Sequence, residues 1–291
     1  MRKLILVTGA SGFVGRAVSS QLKLQGLSVI NHARSAAEGI DWVADLGDPH
    51  TMSGPLPSEI AAVVHCAAAI PARTNAFERD NSVASAQLAA LLAQISSLRR
   101  IVHISSVAVY KRPSSGRWII SEDARLVDVG DSGTDPYARS KRASELALDD
   151  LTHRRADVKI THLRPSSIYG RGMIKSTLLP VFVAKALRQE PLTLQGPRNY
   201  VQNFVHVSDV AELAAALVLD ARAPSIINAF SDDTYRLSAL AELVRSGLGS
   251  LSEVVDNAND ASAPEAVFVN VEAKRLHPRF RRLADNLLDA A

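Results

Sequence analysis

The sequence predicts an α/β fold, a doubly wound parallel sheet with a smaller C-terminal α/β domain. Three observations predict it. Apolar runs of strand length alternate with longer segments of helical period, the pattern of a parallel sheet covered on both faces. The first apolar run, Leu4 to Val7, leads straight into Thr8-Gly9-Ala10-Ser11-Gly12-Phe13-Val14-Gly15. The 291 residues suffice for one large domain or a domain and a half.

Each element follows from its own pattern. Leu4 to Val7 reads as a buried strand, and Arg16 to Gln25 as a helix with Val14, Val18 and Leu22 on one face. Between them, Gly9 allows a sharp turn and Gly12 lets a pyrophosphate approach the backbone. Gly15 lets helix and strand pack closely. A helix N-terminus offers free N–H groups to such an anion. Further strands are expected at Leu27 to Asn31, Asp41 to Ala44, Ala61 to Ala67, Arg100 to Ser105 and Val158 to Leu163. Long helices are expected at Asn75 to Ser97 and Asp135 to Arg154.

Beyond Leu163 the pattern loosens. Met173 to Leu187 predicts a helix bent around Pro180. Leu192 to Leu194 predicts a short strand, Gln195 to Asn203 a polar loop, and Phe204 to Val207 a short apolar segment. Ser208 is placed to cap a helix running to Leu219. A strand is expected at Ser225 to Ala229 and a helix at Thr234 to Ser246. Ser250 to Ala263 reads as polar and weakly ordered. Val267 to Asn270 and a basic C-terminal helix close the chain.

Composition narrows the class. At 47% hydrophobic and 22% charged, the chain matches an ordinary globular protein. No apolar run is long enough to cross a bilayer, so no membrane role is expected. The apolar start is too short for a signal peptide, which predicts the cytoplasm. Cys66 is the only cysteine, which excludes an intrachain disulfide and argues against a metal site. The net charge is only +3, and the basic residues are scattered without aromatic interleaving, so nucleic acid is not an expected partner.

Chemistry is expected beyond the C-terminal strand ends. Ser105 and Ser106 close one strand there. Tyr137 and Lys141 are four residues apart and share a helix face. A tyrosine ionises near pH ~10, and a nearby ammonium favours its phenolate. Such a tyrosine can trade a proton near neutrality while a serine hydroxyl holds a substrate oxygen.

With these residues the chain resembles the extended short-chain dehydrogenase/reductases, the NAD-dependent epimerase/dehydratase group. The markers are the glycine turn, Asp45-Leu46, His65 to Ala68, Ser105-Ser106 with Tyr110, and Tyr137 to Lys141. Leu163 to Ser166, Tyr169-Gly170 and Phe204 to Val210 complete them. The resemblance implies a Rossmann-type domain from residues 1–170 and 204–230, and a substrate domain from 171–203 and 231–291. It implies Tyr137 as general acid/base, Ser106 as the group polarising the substrate C–O, and Lys141 as ribose ligand and tuner of Tyr137. It implies cofactor contacts from Gly9, Ser11, Gly12, Phe13, Val14 and Gly15. Asp45 and Leu46 would flank the adenine, and Ala67, Ala68 and Ala69 would pass the pyrophosphate and ribose. Ser105 would be a neighbour, and Pro165 and Ser166 would border the nicotinamide. Ser106, Tyr110, Arg198 and Gln202 would touch substrate. A homodimer through the two long helices is possible for the family.

An NAD site usually places an acid at the end of the second strand. Here that place holds Arg34 and Ser35, and no acid comes until Glu38. Arg34 can pair with a 2′-phosphate, which favours NADP(H) over NAD(H). Val107-Ala108 stand where dehydratases of the family carry an Asp-Glu pair, which argues against a 4,6-dehydratase. Ala108 likewise replaces the cysteine of the epimerase-reductases that make GDP-fucose. The expectation is reduction of a 4-keto sugar nucleotide with NADPH. The alternatives are an NDP-sugar 4-epimerase with retained NAD, a reductase of apolar ketones, and a non-catalytic NADP(H)-binding sensor.

Overall fold

A computed structural model describes residues 4–52, 56–261 and 263–291. Its elements in chain order are β1 (Leu4–Thr8), α1 (Phe13–Leu24), β2 (Ser28–Ala33), β3 (Trp42–Val43), β4 (Ile60–His65), α2 (Ala84–Leu92), β5 (Arg100–Ile104), β6 (Arg117–Ile120), α3 (Pro136–Arg154), β7 (Lys159–Pro165) and β8 (Ser167–Tyr169). They continue with α4 (Leu178–Leu187), β9 (Leu192–Pro197), β10 (Val201–His206), α5 (Val207–Leu219), β11 (Ile226–Ala229), β12 (Thr234–Arg236), α6 (Leu237–Gly247), β13 (Val254–Asn259), β14 (Glu265–Phe268) and α7 (Val271–Leu276). The chain forms two units.

The first unit runs to Tyr110 and takes in Arg125–Arg164 and Val210–Ile227. Its sheet has the strand order β11-β7-β5-β4-β1-β2-β3. The pairings from β3 across to β7 are parallel. The order reverses between β1 and β4, which opens a crevice at their C-terminal ends. Ile5, Leu6 and Val7 of β1 and Val63 and Val64 of β4 are wholly buried, as continuous apolar runs in a covered sheet should be. One core joins Leu6, Ile60, Val63, Leu88, Leu92, Leu98, Ile101, Leu148 and Leu151.

The long helix expected at Asn75 to Ser97 is shorter and begins differently. Glu78–Val83 form a widened, π-helical turn that runs into α2, which stops at Leu92. The wide turn brings Asn81 inward. Its amide brackets Ala69, accepting the Ala69 N–H at 2.6 Å and donating to the Ala69 carbonyl at 3.2 Å.

The second unit comprises Lys111–Ala124, Pro165–Asp209 and Asn228–Ala291. Here the sequence reading needs several corrections. The bend at Pro180 is absent: α4 starts at Leu178, so Pro180 lies in the first turn, where its missing N–H costs nothing. The polar loop from Gln195 to Asn203 is mostly strand, since β9 reaches Pro197 and β10 begins at Val201. Ser250 to Ala263 is not weakly ordered over its length, because β13 pairs parallel with β9 from Val254 to Asn259; Ser262 lies outside the described residues. Thr234 to Arg236 form β12, antiparallel to β10, ahead of α6. Ser208 is not the helix cap. The His206 ring takes that place and accepts the Ser208 N–H through Nδ1 at 3.2 Å. Strands β6 and β14, paired in parallel, and β8, parallel to β10, hold this unit's remaining pairings. Its core joins Leu179, Phe182 and Val183 of α4 with Leu192, Leu240, Val244 and Leu283.

Candidate active site

The glycine turn has the geometry its spacing predicts. Gly9 has φ +66°, and a Cβ there would lie 2.7 Å from the Ala67 nitrogen. A Cβ at Gly15 would lie 2.1 Å from the Gly9 carbonyl oxygen. Only glycine fits either place. Gly12 is the N-cap of α1, and no side chain caps that helix. The first-turn N–H groups, from Phe13 to Gly15, are therefore left to an anion. The donor set and the close turn fit a dinucleotide pyrophosphate.

The strand ends around the turn are held by side chains. Thr8 Oγ1 accepts from the N–H groups of Cys66 and Ala67, at 3.2 and 3.3 Å, and bonds His65 Nδ1 at 2.7 Å. Ala68 is exposed, whereas Ala69 is buried against Asn81. Ser11 is exposed, and its carbonyl accepts from Arg16.

At the end of β5 the two serines separate in role. Ser105 donates to Glu145 Oε1 at 2.6 Å and is buried. Ser106 stops the strand and caps the short turn Val107–Val109, its Oγ accepting the Ala108 N–H at 3.1 Å. The Ser106 side chain is near enough to the Tyr137 phenol to favour its ionised form. Tyr137 lies in the first turn of α3, which Asp135 caps through the Ala138 N–H at 2.9 Å and Pro136 opens. Phe77 meets the Tyr137 ring edge-on at 5.7 Å. One turn on, Lys141 is buried. Its ammonium donates to the Ile104 carbonyl at 2.8 Å and to His103 Nε2 at 3.2 Å.

The electrostatics differ from the expectation. Burial raises the Tyr137 phenol above its ordinary value, and the Ser106 side chain offsets only part of that. Burial also lowers the Lys141 ammonium to about 8, with Glu145 and Cys66 opposing the fall. Lys141 faces His103 and Ile104, so it does not draw Tyr137 toward phenolate in this structure. A raised phenol is a proton donor at neutrality.

Beneath the site is a cluster to which the sequence reading gave no role. Arg164 holds Glu145 through two bonds of 2.8 Å, and Arg142 adds a third at 2.9 Å. Arg164 also donates to the Tyr110 hydroxyl at 3.0 Å and lies 4.9 Å over its ring. Tyr110, expected to touch substrate, is buried against Arg164. Surrounding donors hold the Glu145 carboxyl down at about 2, although its burial alone would raise it. A sequence signal was available: Tyr137, Lys141, Glu145 and Asp149 recur every four residues, a polar stripe on one helix face.

Arg34 ends β2 in a charged cluster. It pairs with Asp80 at 2.9 Å and lies 3.7 Å from Asp45. Arg79 joins both carboxylates. Partial burial would raise the Asp45 carboxyl, but the Gly47 N–H and the two arginines bring it below its usual value. Leu46 next to it is buried. In the second unit, Ser166 donates to Asn203 Oδ1 at 2.6 Å, beside Pro165 at the end of β7. Both expected substrate contacts there have intramolecular partners. Arg198 pairs with Asp256 and Asp260, and Gln202 donates to Ser167 at 2.7 Å.

Comparison with known proteins agrees with this arrangement. A family model described as "NAD dependent epimerase/dehydratase family" matches residues 5–229. The chain is 26% identical to dTDP-6-deoxy-L-talose 4-dehydrogenase (NAD(P)(+)) of Kitasatospora kifunensis, over 90% of this chain and 84% of that one. It is 25% identical to dTDP-4-dehydro-6-deoxy-D-allose reductase of Streptomyces bikiniensis, over 90% and 86%. The fold matches that of the UDP-glucose 4-epimerase of Thermus thermophilus in complex with NAD, with a TM-score of 0.80 at 20% identity, covering 99% of this chain and 97% of that chain. Among the described residues no helix is long and apolar enough to cross a membrane. The glycine turn at the sheet's switch point and the family match over most of the chain lead to one conclusion: this protein belongs to the NAD dependent epimerase/dehydratase family.

Proposed function

We propose that the protein reduces the 4-keto group of a sugar nucleotide, with NADPH as reductant and Ser106, Tyr137 and Lys141 as the working side chains. The observation that carries this reading is the placing of Tyr137 in the first turn of α3, its proton held by burial and its phenol within the influence of the Ser106 side chain. The nicotinamide, when bound, would supply hydride to the carbonyl carbon and be left oxidised. Ser106 holds the carbonyl oxygen, and Tyr137 gives that oxygen its proton as negative charge develops there. The products are the alcohol and a tyrosinate, to which one proton must return from solvent. The first turn of α1 would hold the pyrophosphate. Two of the relatives are named for oxidoreduction at C4 of dTDP-linked 6-deoxysugars, which supports the substrate class.

One observation favours a second reading, a 4-epimerase that retains NAD. Arg34 is already paired with Asp80, and a 2′-phosphate would have to compete for it. The presence of all three working residues argues against a sensor.

Titration of the purified protein with NADPH, NADH, NADP⁺ and NAD⁺, followed by assays on 4-keto sugar nucleotides, separates the readings. The reductase reading expects no retained cofactor and a preference for NADPH of about tenfold, ~1.4 kcal/mol. Tightly retained NAD⁺ with epimerisation of UDP-sugars would replace it with the second reading. Tyr137→Phe should abolish turnover with cofactor affinity intact; full activity in that variant overturns the acid role.

A further inference from the structure

The proton that must return to the site has a route in the fold. His103 and His162 lie opposite each other on β5 and β7. Their Nδ1 atoms are 3.1 Å apart. His103 Nε2 meets Lys141 Nζ at 3.2 Å, and His162 Nε2 meets Asp149 Oδ1 at 3.0 Å. Lys141, His103 and His162 are buried, whereas the Asp149 side chain is 42% exposed. Four groups thus form one hydrogen-bonded line from the candidate active-site lysine to solvent.

The ends of the line fix its direction. An ammonium only donates, so His103 Nε2 must accept from Lys141. The one proton of a neutral His103 ring is then on Nδ1 and is donated to His162 Nδ1. His162 carries its proton on Nε2, facing Asp149. A carboxylate only accepts, so the far end requires the same assignment. Both ends agree, and every bond points the same way.

We infer that His103, His162 and Asp149 form a proton relay between solvent and Lys141, which returns to that buried ammonium any proton it gives up to the candidate site. In the outward step the Lys141 N–H proton passes to His103 Nε2, the His103 Nδ1 proton to His162 Nδ1, and the His162 Nε2 proton to Asp149. The amine is then neutral and the carboxylic acid releases its proton to water. The reverse step takes one proton from water and restores the ammonium. No electrons move and no other reactant is needed. The surroundings suit such transfer. His103 faces His65 at a ring distance of 5.4 Å, with Arg164 also near. Burial first, and then the charges of Lys141 and Arg164, keep the ring neutral, well below its ordinary value. Lys141, lowered by burial to about 8, can part with a proton near neutrality, even with Glu145 and Cys66 favouring its charge.

The role in turnover rests on the reductase reading, but the relay itself can be tested without substrate or cofactor. The measurement is the solvent exchange rate of the Lys141 ammonium protons, read by NMR on the lysine-¹⁵N-labelled full chain. His162→Phe should slow exchange by at least about tenfold, the scale of a positioned acid–base group. Asp149→Asn, at the surface and safe for folding, should slow it as well. In turnover, both variants should lose kcat with KM unchanged, and His162→Gly should regain rate with added imidazole. Wild-type exchange in folded His162→Phe, or in Asp149→Asn should His162→Phe not fold, overturns the relay. Full turnover by Tyr137→Phe would instead remove the reductase reading and leave the exchange result standing.

Discussion

Glu145 and Arg164 meet with side chains 0% and 1% exposed, whereas Arg34 and Arg79 meet Asp45 and Asp80 with the two arginines 57% and 47% exposed. The residue types are the same and the consequences differ. Glu145 accepts four hydrogen bonds, from Arg164 twice, Ser105 and Arg142. A buried carboxylate with that shell cannot rearrange without leaving a charge unpaired. It fixes the end of β5, from which Ser106 projects. In the Arg34 cluster the carboxylates of Asp45 and Asp80 are only 17% and 7% exposed, but the arginines lie at the surface, where ion pairs contribute less and are more easily exchanged. The fold has placed its rigid charges under the candidate site and its more adaptable charges at the end of β2, where the proposed reading puts nucleotide selectivity.

Removing one member of the rigid pair should have the largest effect. Glu145→Gln leaves the Arg164 guanidinium buried without its counter-charge, at an expected cost of about 3–5 kcal/mol in denaturant unfolding. A cost below about 1 kcal/mol, the range of an exposed pair, would erase the contrast. The pH dependence gives a second check. Glu145 is held at about 2 against an unperturbed value of 4.5. Its contribution is therefore present above 4.5 and lost as pH falls toward 2. Glu145→Gln should flatten the loss of stability over that window.

Lys141 is buried without a carboxylate in contact, so its charge destabilises the fold where that of Glu145 stabilises it, although stability rises with pH in both windows. Its ammonium falls to about 8 from 10.5. Between those values the unfolded chain binds a proton that the folded chain does not, and stability contributed by this group rises with pH. Urea unfolding at pH 8, 9 and 10 should show a smaller rise for Lys141→Met than for the wild type. Equal rises would mean that the lysine is solvated and the contrast between clusters is overdrawn.

What was legible in the sequence follows the same division. The glycine turn is dictated by backbone sterics, which three residues at fixed spacing announce, and the family match supports that reading. The parallel sheet was legible because its strands are apolar on both faces. In the second unit, β9 and β13 present Gln195, Asp256 and Asn257 to solvent, so pairing partners far apart in sequence looked like polar loop. The ring of His206 capped α5 where a serine two residues later had the usual capping chemistry. The buried partners of the candidate site were hidden for a related reason. Glu145, His103 and His162 acquire meaning only when α3, β5 and β7 bring them together, and no local pattern marks a histidine as facing a lysine 38 residues away.

The smallest expected effects belong to the adaptable cluster, and they decide the cofactor. Arg34→Ala removes an exposed arginine and leaves Arg79 on Asp80, so it should change stability by about 1 kcal/mol or less. Its NADPH affinity should fall about tenfold, ~1.4 kcal/mol, with NADH unaffected, if the arginine turns from Asp80 to a 2′-phosphate. Asp80→Asn sharpens the test from the other side. Without that carboxylate, at 2.9 Å, Arg34 keeps only the longer 3.7 Å approach to Asp45 and is freer to turn. NADPH affinity should then rise while NADH affinity stays level. An unchanged ratio of the two affinities in both variants would mean that Arg34 is held by its carboxylates in the complex as well. The end of β2 would then be as fixed as the buried pair, and the choice of cofactor would pass to the NAD-retaining reading.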